Sequence, residues 1–265
     1  MKENLKKKIA VIYHADCPDG FGASYAAWKK FGGDNIEFIP VFPKNDSDDR
    51  DFTGMDVYFF DICYSEDAIK KIKSVANSVN IIDHHKTNID RVKLGTKSLF
   101  SIENSGAVLA WKFLFPEKSI PKFFEYIEDV DIWKFKLPHS REVSQAIESY
   151  KFDYNVWDKI VSDFEDEDHR QKYILEGAAI LRRADKIIDE VVRHSKEINF
   201  EGHKCLLANS ACFRSFIGEA LYKKMPPIGI LWFTIGDMVH VSLRSDGTVD
   251  VSELAKKYGG GGHRG

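Results

Sequence analysis

The chain has 265 residues, of which 43% are hydrophobic and 30% charged, a globular composition that excludes a disordered tail protein. A chain of this length buries a core without disulfide or metal staples. Lys plus Arg number 38 against 41 Asp plus Glu, a formal net charge of -3, which excludes a protein that grips long duplex DNA by charge alone.

The four cysteines, Cys17, Cys63, Cys205 and Cys212, form no C-x-x-C pair, so a structural zinc knuckle is not expected. Their small number suits a reducing compartment. Residues 1–8 are basic, and the apolar run at 9–13 that follows is too short for a signal peptide. No run approaches the ~20 apolar residues of a transmembrane helix. The expectation is a soluble, cytoplasmic protein.

In chain order, a strand is predicted at 9–13 and a Gly-containing turn at 17–20, then a helix at 21–30. Strand-like runs follow at 36–42 and 57–62, a helix at 66–77, a strand at 79–82, and helices at 103–115, ending before Pro116, and at 122–128. Strands alternating with helices predict an α/β fold with a mostly parallel sheet. Residues 164–193 are charged, with Ile174, Ala178, Leu181 and Ile188 at helical spacing, and read as a long connecting helix. A second, smaller α/β pattern follows: a strand at 203–208, a helix at 213–223, a hairpin of 228–235 and 238–243 across Gly236-Asp237, and a helix at 251–258 that runs into four glycines. The expected domains are 1–154, a helical connector 155–198, and 199–265.

Asp83-His84-His85 directly follows the 79–82 run. In an open parallel sheet, ligands bind at the carboxyl ends of strands. Three other acidic clusters fall at such ends or at a helix end: His14 with Asp16 and Asp19, then Asp61, then Asp129 with Asp131. Carboxylates this close repel one another, and one or two divalent cations relieve that repulsion. Mixed carboxylate and imidazole ligands suit Mn²⁺, Fe²⁺, Co²⁺ or Zn²⁺. A single Asp at a strand end is most often a helix N-cap, and His84 or His85 alone is more often a satisfied polar residue than a ligand; the recurrence of such clusters is what points to metal. The second signal is Gly259-Gly260-Gly261-Gly262-His263-Arg264. Glycines let backbone N–H groups approach an anion, and His and Arg add donors for phosphate oxygens. The ordinary alternative is a linker, or a helix C-cap at Gly259.

Ile81-Ile82-Asp83-His84-His85-Lys86-Thr87 resembles the signature of the DHH phosphoesterase superfamily. Residues 13–20 resemble its first motif, Phe59-Phe60-Asp61 its second, and Glu128-Asp129-Val130-Asp131 its fourth, while the glycine run followed by His263 resembles the hallmark of the DHH-associated domain. These elements come in the family's order and span nearly the whole chain. The resemblance implies a two-domain phosphoesterase with its active site in the cleft between domains and two divalent cations, usually Mn²⁺, with Mg²⁺ or Co²⁺ as substitutes. Carried over by position, His14, Asp16 and Asp61 hold one ion, and Asp19, Asp61, His84 and Asp129 the other, with Asp61 bridging. His85 faces the scissile phosphate, and Asp83 orients an imidazole. Arg244, Gly261, Gly262, His263 and Arg264 bind the substrate's phosphate or nucleotide end. Asp16 and Asp19 are separated by two residues, where the family's usual pattern separates its acids by one. Asp131 is the alternative to Asp129, its other role being to cap or brace Trp133.

The implied function is hydrolysis of phosphodiester or phosphomonoester bonds in short nucleotides: short oligonucleotides, pAp, or cyclic and linear dinucleotides. The alternatives are an inorganic pyrophosphatase or exopolyphosphatase, a single-strand exonuclease, and a non-catalytic binding module. The expected partners are a short phosphate-containing substrate, no membrane and no long duplex DNA, with a homodimer left open as the assembly.

Overall fold

The computed structural model describes residues 8–42 and 46–262. The chain divides into two compact units, Met1–Ala178 and Ala179–Gly265. The first is built on five parallel strands, β1 (Ile9–His14), β2 (Ile36–Val41), β3 (Asp56–Phe60), β4 (Ser78–Asp83) and β5 (Lys97–Phe100), in the order β2-β1-β3-β4-β5. Its helices are α1 (Pro18–Phe31), α2 (Glu66–Lys73), the single turn α3 (Ile89–Val92), α4 (Gly106–Leu114), α5 (Lys122–Asp131), α6 (Ser140–Ser149) and α7 (Tyr154–Phe164); α8 (Glu167–Arg193) begins in the first unit and ends in the second.

Strand side chains alternate between two cores. Ala10, Ile12, Val57, Phe59, Val79 and Ile81 pack with Ile69 and Ile72 of α2 on one face. Val11, Tyr13, Phe60 and Ile82 pack on the other with residues of α1, α4, α5 and α7, among them Phe21, Leu109, Phe124 and Trp157. Both faces are covered, which is why the central strands read as continuous apolar runs rather than alternating ones.

The second unit carries a sheet ordered β6 (Lys196–Phe200), β7 (His203–Asn209), β8 (Ile228–Ile235) and β9 (Met238–Ser245), in which the β7–β8 pair is parallel and the two outer pairs antiparallel. Helices α9 (Arg214–Lys224) and α10 (Val251–Lys257) complete it. The fold is thus α/β, a parallel sheet followed by a smaller mixed unit, as expected from the strand and helix pattern.

Several elements were not legible locally. The edge strand β5 carries only Leu99 and Phe100 as an apolar pair, and its first two residues are exposed. Helix α6 lies where the sequence reading placed no element, and α7 falls in the expected helical connector 155–198, with Trp157, Ile160 and Phe164 as a buried stripe at helical spacing. Helix α4 begins at Gly106 rather than 103, because Ser105 caps it by accepting a bond from Val108 N at 3.4 Å. Among the described residues no helix is long and apolar enough to cross a membrane.

Candidate metal centre

From β1 the chain passes through α1 to β2 on one side, then returns past β1 to β3 on the other. The strand order therefore reverses between β1 and β3, and the crevice beyond the carboxyl ends of these strands is where such sheets bind ligands. His14 ends β1, Asp61 follows β3, and Asp83 ends β4 with His84 and His85 next.

Local geometry aims each side chain inward. Asp61 has φ 60, left-handed backbone that Asp tolerates better than most residues. Asp19 lies in the first turn of α1, which starts directly after β1 with Pro18 at its first positions. Gly20 permits that tight strand-to-helix junction: a Cβ there would stand 2.2 Å from His14 O. The Asp19 carboxylate sits on the N-terminus of α4, accepting bonds from Gly106 N at 2.6 Å and Ala107 N at 2.8 Å. Gly106 is itself confined, since a Cβ would meet Asp61 Cβ at 2.6 Å and Asp19 Oδ2 at 2.8 Å.

Asp61 is the centre of the arrangement. Its Oδ2 lies 3.2 Å from His14 Nδ1, and its Oδ1 lies 3.0 Å from His84 Nε2 and 3.6 Å from His85 Nδ1. His84 Nε2 also stands 3.5 Å from Asp19 Oδ2 and 3.5 Å from Asp131 Oδ2. Asp83, fully buried, braces the segment: its Oδ1 accepts from His84 N at 2.6 Å and His85 N at 2.9 Å and lies 2.8 Å from His85 Nδ1, while Oδ2 accepts from Asn88 Nδ2 at 2.6 Å.

The electrostatics follow from crowding acids and imidazoles out of water. Burial, with the charges of Asp131 and Asp61, pushes the Asp19 carboxyl well above the usual range. Burial would also raise Asp61, but the imidazoles of His14, His84 and His85 hold it well below. For His84 and His85 burial works against the charged form, yet the surrounding carboxylates push them up to about 11 and about 9 respectively. Burial and the same carboxylates push the Cys17 thiol up.

Among the described residues, three groups of ligand atoms lie close enough to share an ion: His14 with Cys17 and Asp61, Asp61 with His84 and His85, and Asp19 with His84 and Asp131. The side chains fit a cation on a further count. Asp61 Oδ1 and Asp131 Oδ2 are buried oxygens that no hydrogen bond satisfies.

His14, Asp19, Asp61, His84 and, through Asp61, His85 are therefore brought together, with Asp83 behind them. Asp129 is not. Its oxygens accept from Lys136 N at 2.8 Å, Leu137 N at 3.0 Å and Ser140 Oγ at 2.5 Å, and it is Asp131 that reaches His84. Asp16 is exposed with φ 56 and belongs to none of the three groups. Cys17 and Gly106 are the members that sequence reading missed. Ser105, the cap residue before Gly106, was the available signal for the second.

In the second unit the Arg244 guanidinium is held by Ser215 Oγ at 2.8 Å and Leu243 O at 2.9 Å, over Gly218, where a Cβ would meet its Cγ at 2.6 Å. Two of the four glycines end α10: Gly259, at φ 75, donates to Lys256 O and Gly260 to Ala255 O, a Schellman cap. Gly261 and Gly262 lie beyond it, and His263 and Arg264 fall outside the described residues.

No protein-family model matches the chain. A chain of known structure, the pGpG-specific phosphodiesterase PggH from Vibrio cholerae, shares its fold, with a TM-score of 0.52 at 17% identity over 97% of this chain and 91% of that one. Oligoribonuclease NrnB of Bacillus subtilis is 22% identical over 75% of this chain, which spans 54% of NrnB's length. The uncharacterized protein R106 of Acanthamoeba polyphaga mimivirus is 31% identical over 98% of this chain and 67% of its own length. With that degree of identity along nearly its whole length, the chain belongs to the family of mimivirus R106.

Proposed function

We propose that the chain is a divalent-metal-dependent phosphohydrolase that cleaves phosphoester bonds of short nucleotides. The observation that carries this reading is the position of Asp61 between two ligand groups, with Oδ2 toward His14 at 3.2 Å and Oδ1 toward His84 at 3.0 Å. One carboxylate offering an oxygen to each side is how two neighbouring ions are shared. His14 and Asp61 would hold the first ion, and Asp61, Asp19, His84 and Asp131 the second, a donor set suited to Mn²⁺. Such a pair supplies Lewis acidity toward a phosphate and toward water.

The protein's own groups do the rest. Asp19, fixed by two amides of α4, cannot swing away from the site. Asp83 pins His85 through Nδ1, which turns Nε2 of that imidazole outward as the donor. In the metal-free protein burial works against the His85 proton but Asp83 and Asp61 hold it up to about 9, and the outward Nε2 is placed to donate to a phosphate oxygen. The second unit, through Arg244, Gly261, Gly262, His263 and Arg264, is proposed to bind the phosphate or nucleotide end.

NrnB is an oligoribonuclease and PggH a phosphodiesterase for pGpG, and both names point to short nucleotides as the substrate class. The formal net charge of -3 agrees, since following a long polynucleotide needs a positive groove. The test is a panel of pApA, pAp, cyclic di-AMP, pyrophosphate and single-stranded DNA, assayed with Mn²⁺ and after exhaustive chelator dialysis. Hydrolysis of pApA that chelation abolishes and Mn²⁺ restores is the expected result. Turnover of pyrophosphate alone would move the assignment to inorganic substrates, and undiminished turnover after chelation would refute metal dependence.

A further inference from the structure

We infer that Cys17 is a thiolate ligand of the first ion, in the place that the motif resemblance assigns to Asp16. This rests on the two-ion reading above and changes its ligand set. Cys17 Sγ, an imidazole nitrogen of His14 and a carboxylate oxygen of Asp61 lie within 4.8 Å of one another. Asp16, one residue earlier, points to solvent from a left-handed backbone. Cys17 stands at the N-cap of α1 with extended backbone, φ -136 and ψ 130, yet its side chain makes no capping bond. A residue with a poor capping group thus occupies the cap position and its sulfur is left to the site.

A second observation, independent of the cysteine, points to a cation here. Asp61 is 2% exposed and turns Oδ2 toward His14, 3.2 Å from Nδ1, so a carboxylate held out of water and an imidazole converge beside the sulfur. An ionised carboxylate this deeply buried is costly unless positive charge faces it.

The chemistry is a simple exchange. The Cys17 S–H loses its proton to solvent as the sulfur–metal bond forms. A site of thiolate, imidazole and carboxylate is softer than one of carboxylates and imidazole alone, and it favours Zn²⁺, Co²⁺ or Fe²⁺ over Mn²⁺ and Mg²⁺. The two ions are therefore not equivalent. The one beside Cys17 is the softer site, and the one between Asp19, His84 and Asp131 is the harder.

The experiment loads the full chain with Co²⁺ after chelator dialysis and records its absorption spectrum and bound cobalt, neither of which depends on turnover. The expected result is a sulfur-to-cobalt charge-transfer band in the near ultraviolet that Cys17→Ser abolishes and Asp16→Asn leaves unchanged. Losing a direct ligand should weaken cobalt binding at that site by at least about 10- to 100-fold, the loss typical of an outer partner of a metal ligand. Cys17→Asp should keep the ion, lose the band, and shift competition between Co²⁺ and Mn²⁺ toward Mn²⁺. Cobalt bound with visible d–d bands but no thiolate band, or a band that survives in Cys17→Ser, overturns the inference while leaving the metal reading intact. Failure of the unaltered chain to bind cobalt at all overturns both.

Discussion

Asp129 and Asp131 stand two residues apart at the end of one helix and have opposite tasks. Successive helical residues are turned by about 100°, so these two carboxylates face away from each other. Asp131 continues the row Phe123–Ile127, which packs into the core, and so arrives at His84. Asp129 organises the irregular segment after α5: its carbonyl accepts from Lys134 N at 2.8 Å and Phe135 N at 3.0 Å, while its carboxylate accepts from Lys136 N, Leu137 N and Ser140 Oγ. The two variants should therefore separate cleanly. Asp131→Asn should reduce bound metal and activity together with little change in the metal-free protein's melting temperature. Asp129→Asn should destabilise the fold by about 1–3 kcal/mol, because it breaks a buried, charge-assisted set of bonds. Metal content by elemental analysis and thermal melts of both variants decide it. Equal metal loss in both would contradict this assignment.

The site at the scale of elements is a meeting of strand ends with two helix starts. Helix α1 delivers Asp19 and helix α4 receives it, through the amides of Gly106 and Ala107. This arrangement tolerates no side chain at position 106, where a Cβ would stand 2.6 Å from Asp61 Cβ and 2.8 Å from Asp19 Oδ2. Gly106→Ala must push α4 away from both carboxylates. Intrinsic helix propensity would make the substitution stabilising by about 1 kcal/mol, so a loss of metal affinity would be a local steric effect and not a failure of the helix. The expected outcome is weakened metal binding, read by titration calorimetry, with helical content by circular dichroism unchanged. Unaltered metal affinity would show that α4 can shift without cost to the site.

For the molecule as a whole, the proposed metal would compete with protons for the same groups. In the metal-free protein the surrounding carboxylates hold His84 and His85 protonated, up to about 11 and about 9. Their folded-state values are raised above the ordinary histidine value. The imidazolium–carboxylate contacts thus stabilise the metal-free fold fully below about pH 6.5, and that contribution fades as pH rises through 9. A ligating imidazole must be neutral, so loading at pH 7.5 should release protons, visible as a binding enthalpy that changes with the ionisation enthalpy of the buffer. Free ion at about a hundred times its dissociation constant adds about 2.7 kcal/mol to stability, which for a unit of this size raises the melting temperature by about 5–10 °C. A buffer-independent enthalpy, or a melting temperature indifferent to Mn²⁺, would speak against a proton-coupled metal centre at these residues.

The sequence by itself determined β1 to β4 of the first sheet, their continuous apolar character, the hairpin across Gly236-Asp237 and the presence of acids and histidines at the strand ends, because each depends on local periodicity or on immediate neighbours. It also held enough order of motifs to suggest a phosphoesterase fold. Which acids converge, and with what companions, was decided only in three dimensions. Asp131 prevails over Asp129 through the facing of α5, and Gly106 matters only because α4 abuts Asp19 and Asp61. Cys17 joins His14 and Asp61 because the turn between β1 and α1 leaves Asp16 in solvent. A ligand set is a property of side chains that converge from separate elements, and its members are separated by tens of residues along the chain. Residue type can nominate them, but the angle at which each helix and strand end meets the others selects among them.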